Sequence, residues 1–151
     1  MLRSVLGAAA AATVASLALA GSAGPAAAVE RPGDPLEGLA LHPEWGSVTG
    51  QGGVLRRSCH HHRYSYSIDP PEGYWALEVY ISGPGLQHLA AGAFLGGYDP
   101  TTGTGRYTLC RNSTRYGTFT IAAKLSVDDG TGHVTEGRLP ADKFRLRRPG
   151  R

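Results

Sequence analysis

The chain has 151 residues and a net charge of +3, which fits one domain and excludes the dense basic composition of a general nucleic-acid-binding protein. Its 22 glycines and 10 prolines stay below the share typical of low-complexity chains, and 41% hydrophobic residues argue against wholesale disorder. The sequence contains no serine-hydrolase elbow, zinc-protease motif, phosphate-binding loop or dinucleotide fingerprint. We therefore expect a protein that is not an enzyme and needs no cofactor.

Residues 1–28 predict a secretory signal peptide. Arg3 is their only charged residue, an alanine-rich apolar run extends from Val5 to about Ala20, and the segment ends in small residues. Ala26 and Ala28 fit the two small positions before a cleavage site, and cleavage after Ala20 is the alternative. Because the run is shorter than the about 20 residues that span a bilayer, we expect a secreted, extracellular protein whose mature form has no transmembrane segment.

The next segment, residues 29–50, is rich in proline and glycine and has no sustained hydrophobic period, so it predicts a flexible leader. From residue 51 to 148, short segments with strand periodicity alternate with glycine-rich and proline-rich turns. Strands are predicted at residues 63–68, 75–81, 91–95, 105–110, 118–127 and 143–147. Many short strands with one polar face predict an all-β sandwich of antiparallel sheets.

Cys59 and Cys110 are the only cysteines, and in an oxidising compartment they predict one disulfide. The bridge would close a loop of about 50 residues and stabilise the fold by roughly 4 kcal/mol. In a regular strand, Cys59 would face the opposite side from Tyr64 and Tyr66, and Cys110 would face the opposite side from Leu109. We therefore expect either β-bulges or a bridge at the strand ends, and we favour the strand ends.

The order Cys59, Trp75, Tyr107 and Cys110 resembles that of immunoglobulin-type sandwiches. Over about residues 50–148 the chain is similar to immunoglobulin-like or fibronectin-type modules of small secreted proteins from GC-rich bacteria, including a short final strand at residues 144–147. The resemblance implies an Ig-like antiparallel β-sandwich in which a core tryptophan packs on a disulfide between the two sheets.

His60 and His62 would project from the same side of a strand, and two such imidazoles can chelate zinc or copper. A metal centre needs a third ligand, and the sequence does not place His42, His88 or His133 beside them. The pair is a weak candidate for a metal site, and we expect no bound metal.

The C-terminal strand predicts a row of exposed cations. Lys143, Arg145 and Arg147 alternate with the apolar Phe144 and Leu146, so the three charges share one solvent-facing side. Such a row suits contact with an anionic surface such as a cell-wall polymer. The simpler interpretation is that the charges protect an edge strand from aggregation.

These features predict a secreted, non-enzymatic module that binds a ligand or acts as a scaffold through its loops. The loops around residues 83–85, 99–105 and 128–132 would supply the contacts. The alternative is a secreted proteinase inhibitor, which would present a rigid loop pinned near the disulfide. The partner is unknown, with cell-wall polymer and an extracellular protein as the two candidates.

Overall fold

The structure, a computed structural model, describes residues 33–150. The predicted signal peptide and the first residues of the predicted leader lie outside this part of the chain. Within residues 33–150, the one helical segment is the short 3-10 turn Pro43–Trp45. No helix in this range is long and apolar enough to cross a membrane.

The described residues form nine β-strands in two sheets. The strands are β1 Gly46–Gly50, β2 Gly53–Val54, β3 Cys59–Ile68, β4 Tyr74–Gly83, β5 Leu86–Leu95, β6 Thr102–Cys110, β7 Gly117–Asp128, β8 Val134–Arg138 and β9 Asp142–Arg147. The smaller sheet has the order β1-β3-β6, and the larger has the order β2-β9-β7-β4-β5 with β8 also paired to β7. All pairings are antiparallel except that of β2 with β9. The prediction of an all-β protein is confirmed, and each of the six predicted strands lies within one of the nine observed ones.

The hydrophobic core lies between the two sheets and follows the predicted alternation. On the central strands β4 and β7, every second residue is buried and its neighbours face outward; the buried residues are Trp75, Leu77, Val79, Ile81, Phe119, Ile121, Ala123, Leu125 and Val127. Tyr64 of β3 crosses this core and donates a hydrogen bond from its hydroxyl to the Ala91 carbonyl of the larger sheet, at 3.2 Å. Gly92 and Gly105 make room for it, since a Cβ at either position would collide with Tyr64.

The folded part begins before residue 51, inside the segment predicted as a flexible leader. Strand β1 pairs with β3 in the smaller sheet, and Trp45 and Val48 are buried. The boundary predicted at residue 51 therefore lies too far along the chain, because residues 41–50 already pair with or pack on the sheets. The cause is that β1 has a single inward apolar side chain, Val48, which is too little for a hydrophobic period to be visible in the sequence.

The disulfide joins two neighbouring strands of the same sheet. Cys59 opens β3, Cys110 closes β6, and the two residues are direct partners in the pairing register. The prediction of a bridge at the strand ends is confirmed, because Tyr64 and Leu109 take the inward parity and leave the cysteines on the outer side. The inter-sheet disulfide implied by the immunoglobulin resemblance is wrong, and Trp75 lies at the other end of the molecule from the bridge.

Candidate anion-binding site at the disulfide end

The strand directions define two ends of the molecule. At the disulfide end, β3 begins, β6 ends, and the segments 55–58, 84–85, 111–116 and 148–150 lie together. The opposite end, called here the turn end, carries the loops 69–73, 96–101 and 129–133. Each end therefore combines segments that are far apart in the sequence.

Charge is segregated between the two ends. The segments of the disulfide end contain no aspartate or glutamate, and their cations are Arg56, Arg57, Arg111, Arg115 and Arg148. The loops of the turn end contain no lysine or arginine, and their anions are Asp69, Glu72, Asp99 and Asp129. The disulfide end therefore presents a positive potential to solvent and the turn end a negative one.

The loop at residues 111–116 is anchored to its surroundings on both sides. The buried Thr114 donates a hydrogen bond from its hydroxyl to the Cys110 carbonyl, at 2.7 Å. The Arg111 amide donates to the Ser58 carbonyl, and the Arg115 amide donates to the Pro84 carbonyl, at 3.2 and 3.0 Å. These bonds fix the loop beside the disulfide and between two other segments of the same end.

Tyr116 is the centre of an arginine cluster. The Arg111 guanidinium lies 4.3 Å from the centre of the Tyr116 ring, and its Nη1 donates to the Thr114 carbonyl at 2.9 Å. A concavity of about 440 Å³ is bounded by Tyr116, Gly117 and residues 145–148. A second concavity, of about 300 Å³, is bounded by Arg57, Tyr116, Arg148 and Pro149. We call Arg57, Arg111, Arg145, Arg147 and Arg148, grouped around Tyr116, the arginine cluster.

The predicted row of cations on β9 is exposed, and Phe144 and Leu146 point into the core as expected. All three cations line a concavity of about 520 Å³ together with residues 50 and 52–54, and Arg145 and Arg147 belong to the arginine cluster as well. Strand β9 pairs with β2 only at Leu146 and Arg147, so most of its second edge is not covered by a strand of the described residues. Protection of this edge therefore stays a valid second role for the charges.

The arginines of the cluster have no acidic partner. Within residues 33–150, every carboxylate that lies within 4.0 Å of a cationic side chain contacts a lysine or a histidine, and none contacts an arginine. Guanidinium groups donate well-directed hydrogen bonds to carboxylates and phosphates. Apart from the Arg111 Nη1 that donates to Thr114, the donor groups of the cluster are thus available to an anion from outside the molecule.

The two candidate metal ligands share one side of β3, as the sequence predicted, but nothing completes a metal centre. His62 stacks on Tyr107 with ring centres 5.6 Å apart, and burial, assisted by the nearby His60, lowers the pKa of His62. The His60 Nε2 lies 2.8 Å from the Arg57 carbonyl oxygen. No group of three potential metal-ligating side chains occurs in the described range 33–150.

The loops predicted to supply contacts lie at different ends. The turn after Gly83 is at the disulfide end, and the loops near Asp99 and Asp128 are at the turn end. Sequence reasoning did not single out Arg57, Arg111 or Tyr116. No local pattern marks these residues, because the topology alone brings them next to Arg148.

Comparison with known proteins assigns no family: no family model matches the sequence, and no curated protein matches it. The class that the fold defines is an all-β protein of two sheets with one disulfide within the smaller sheet.

Proposed function

We propose that the protein is a secreted, non-enzymatic binding module whose arginine cluster holds an anionic polymer, such as a phosphate-bearing or carboxylate-bearing polymer of the cell wall. The observation that carries this proposal is that five arginines surround Tyr116 at an end whose connecting segments have no acidic residue. Like charges held together repel one another, and a bound anion relieves that repulsion.

The shape of the cluster suits a chain of charges better than a single small ion. The concavities share Tyr116 and Arg148, and together they extend from Arg57 to Arg145. Arg145 and Arg147 are alternate residues of β9, so their Cα atoms lie roughly 7 Å apart along the strand. A polymer with repeated negative groups can therefore contact several guanidiniums at once.

An immunoglobulin-like fold is part of the proposal. The order β1-β3-β6 corresponds to strands A-B-E of one immunoglobulin sheet, and β9-β7-β4-β5 corresponds to G-F-C-C′ of the other. Buried Trp75 lies on β4, the counterpart of strand C, where immunoglobulin domains carry their core tryptophan. The chain differs from that pattern because its disulfide joins the counterparts of strands B and E, not B and F.

Secretion is supported by two sequence features. The signal-peptide pattern of residues 1–28 provides an export signal, and the Cys59–Cys110 disulfide is typical of a protein that works in an oxidising compartment.

Replacing Arg145, Arg147 and Arg148 together by alanine is expected to weaken binding to polyphosphate and polyglutamate about tenfold, because three lost contacts of about 0.5 kcal/mol each sum to about 1.5 kcal/mol. Binding of the unmodified protein should fall steeply with salt, and neutral dextran should not bind. Surface-immobilised polymer and a salt series provide the measurement.

The matched control replaces three arginines outside the cluster, Arg63, Arg106 and Arg138, by alanine. All three are exposed strand residues. Their replacement removes three positive charges, as many as the cluster variant loses. Equal losses in the two triple variants would mean that only net charge matters, and that result would contradict a site at the disulfide end. Binding of an acidic protein but of neither polymer would favour a protein partner instead.

One observation favours the inhibitor alternative. The loop at residues 111–116 is pinned beside the disulfide and exposes Arg115, a side chain that trypsin-like proteases recognise. Inhibition of secreted serine proteases by the purified protein, and its loss in Arg115→Ala, would support this function. Protease activity that stays unchanged when the purified protein is added would exclude the inhibitor function.

A further inference from the structure

The larger sheet exposes an apolar patch at the turn end. Tyr74, Leu95, Tyr98 and Val134 are 76%, 50%, 89% and 51% exposed. Tyr74 and Val134 flank Asp128 on neighbouring strands, and Leu95 pairs with Ala76 in the next outward-facing row. Exposed aromatic and aliphatic side chains grouped in this way are typical of a surface that contacts another protein.

Charges of opposite sign occupy the two ends of the same outer face. Near the apolar patch the face carries Asp128 and Glu136, and at its centre it carries Arg138 beside Lys124. Towards the disulfide end it carries Lys143 and Arg145, paired with Thr120 and Thr118 of β7. The face is therefore acidic and apolar at one end and basic at the other.

Both charged groups lie along the same side of β7. Strand β4 pairs with one side of β7, and β8 and β9 pair in succession with the other side. Consider a two-fold axis that lies between two stacked copies, parallel to their sheets, perpendicular to the strands and level with Ala123. It reverses the strand direction and keeps the β8–β9 side of one copy over the same side of the other. The residues in register with Arg145 then face those in register with Asp128, and the residues in register with Lys143 face those in register with Glu136.

We propose that a second copy of this chain covers the outer face of the larger sheet in an antiparallel two-fold dimer. The symmetry forms each charge contact twice and places the basic end of each copy over the apolar patch of the other, so that Arg145 lies opposite Val134 and beside Asp128. A second copy is the partner that fits this face, because the face carries both the acidic and the basic group and the two groups lie at equal distances from Ala123.

The size of the face suits such a contact. At its centre, Lys124 is balanced within one copy by Glu78 at 2.7 Å and Glu136 at 3.3 Å, and Tyr80 faces outward beside them. Four strand widths of about 4.8 Å and a twelve-residue strand of about 40 Å give roughly 750 Å² per copy. A standard interface buries about 800 Å² per partner.

The dimer goes beyond polymer binding and partly competes with it. Arg145 belongs to the arginine cluster and to the dimer face, whereas Arg57, Arg111 and Arg148 belong to the cluster alone. Dimerisation is measured without polymer and polymer binding is measured on immobilised polymer, so the failure of one proposal does not imply the failure of the other.

Reversal of charge tests the dimer. Asp128→Lys with Glu136→Lys makes both ends of the face basic, and Lys143→Glu with Arg145→Glu makes both ends acidic. In sedimentation velocity at low salt, we expect the unmodified protein to dimerise and each variant alone to have a dissociation constant raised at least about tenfold. An equimolar mixture of the two variants should restore the dimer, because each basic end then meets an acidic one.

The control Arg63→Glu with Arg106→Glu changes the same number of cations to anions on the outer face of the smaller sheet and should dimerise normally. Circular dichroism confirms that every variant is folded. An unmodified protein that stays monomeric, or a mixture of folded variants that does, would overturn the proposal.

Tyr74→Ser gives an independent test if a charge-reversed variant does not fold. The side chain is 76% exposed, so its replacement leaves the core intact. We expect it to weaken the dimer at least about tenfold, because aromatic side chains contribute most to interface stability. An unchanged dissociation constant for Tyr74→Ser would contradict a dimer through this face.

Discussion

Replacing Cys59 and Cys110 together by serine is expected to lower the free energy of unfolding by about 4 kcal/mol. The bridge spans a sequence separation of 51 residues, and its removal frees that loop in the unfolded chain. Cys59 is exposed, so the substitution adds little loss of core packing to this entropic effect. Against a total stability of about 5–15 kcal/mol, the loss is a large share. Urea unfolding followed by tryptophan fluorescence measures it.

Reduction of the unmodified protein provides the matched control, because it breaks the same bond without changing a side chain. The reduced protein and the double-serine variant should unfold at the same urea concentration. A loss below about 1 kcal/mol in both would mean that the unfolded chain is already restricted by other contacts, which would contradict the assigned role of the bridge.

Replacing Phe119 by alanine is expected to cost about 3–5 kcal/mol of unfolding free energy. Phe119 is fully buried on the central strand β7, and its ring stacks on Phe144 of β9 with centres 5.7 Å apart. Truncation leaves a cavity at the contact between the two sheets, where rigid neighbouring strands cannot close it. Thermal and urea unfolding, monitored by circular dichroism, give the change.

Thr118→Ala is the control on the same strand. The Thr118 side chain is exposed, so the change should stay within about 0.5 kcal/mol of the unmodified protein. Similar losses for Phe119→Ala and Thr118→Ala would contradict the assignment of Phe119 to the core, since they would show that the strand tolerates both positions equally.

The parity of the long strands could be predicted from the sequence because each buries every second residue. Residues 75–81 and 118–127 alternate without interruption, and the structure buries the predicted side of each. The same parity rule indicated that Cys59 and Cys110 belong at strand ends. The resemblance implied a different bridge, because the order of cysteine and tryptophan carries no information about which strands become neighbours.

The short strands could not be predicted because they offer too few buried side chains. Val48 is the only buried residue of β1, both residues of β2 are exposed, and Gly137 is the only buried residue of β8. These strands form because longer neighbours provide unpaired backbone groups, which is a tertiary effect. Residues 86–90, which precede the strand predicted at residues 91–95, became part of β5 for the same reason.

The candidate site was only partly visible in the sequence. Arg145 and Arg147 could be recognised from their alternation with Phe144 and Leu146. Arg57 and Arg111 could not, since 54 positions separate them and only the pairing of β3 with β6 brings their loops to one end. The separation of charge between the two ends depends in the same way on strand direction, which sequence composition does not contain.

The most direct measurement is a titration of isotopically labelled protein with polyphosphate, followed by amide and arginine side-chain NMR signals. The proposed function predicts that the shifts concentrate on Arg57, Arg111, Tyr116 and residues 145–148, and that they disappear at high salt. Shifts spread over every exposed arginine, or centred on Arg63 and Arg106 of the smaller sheet, would contradict an anion-binding site at the disulfide end.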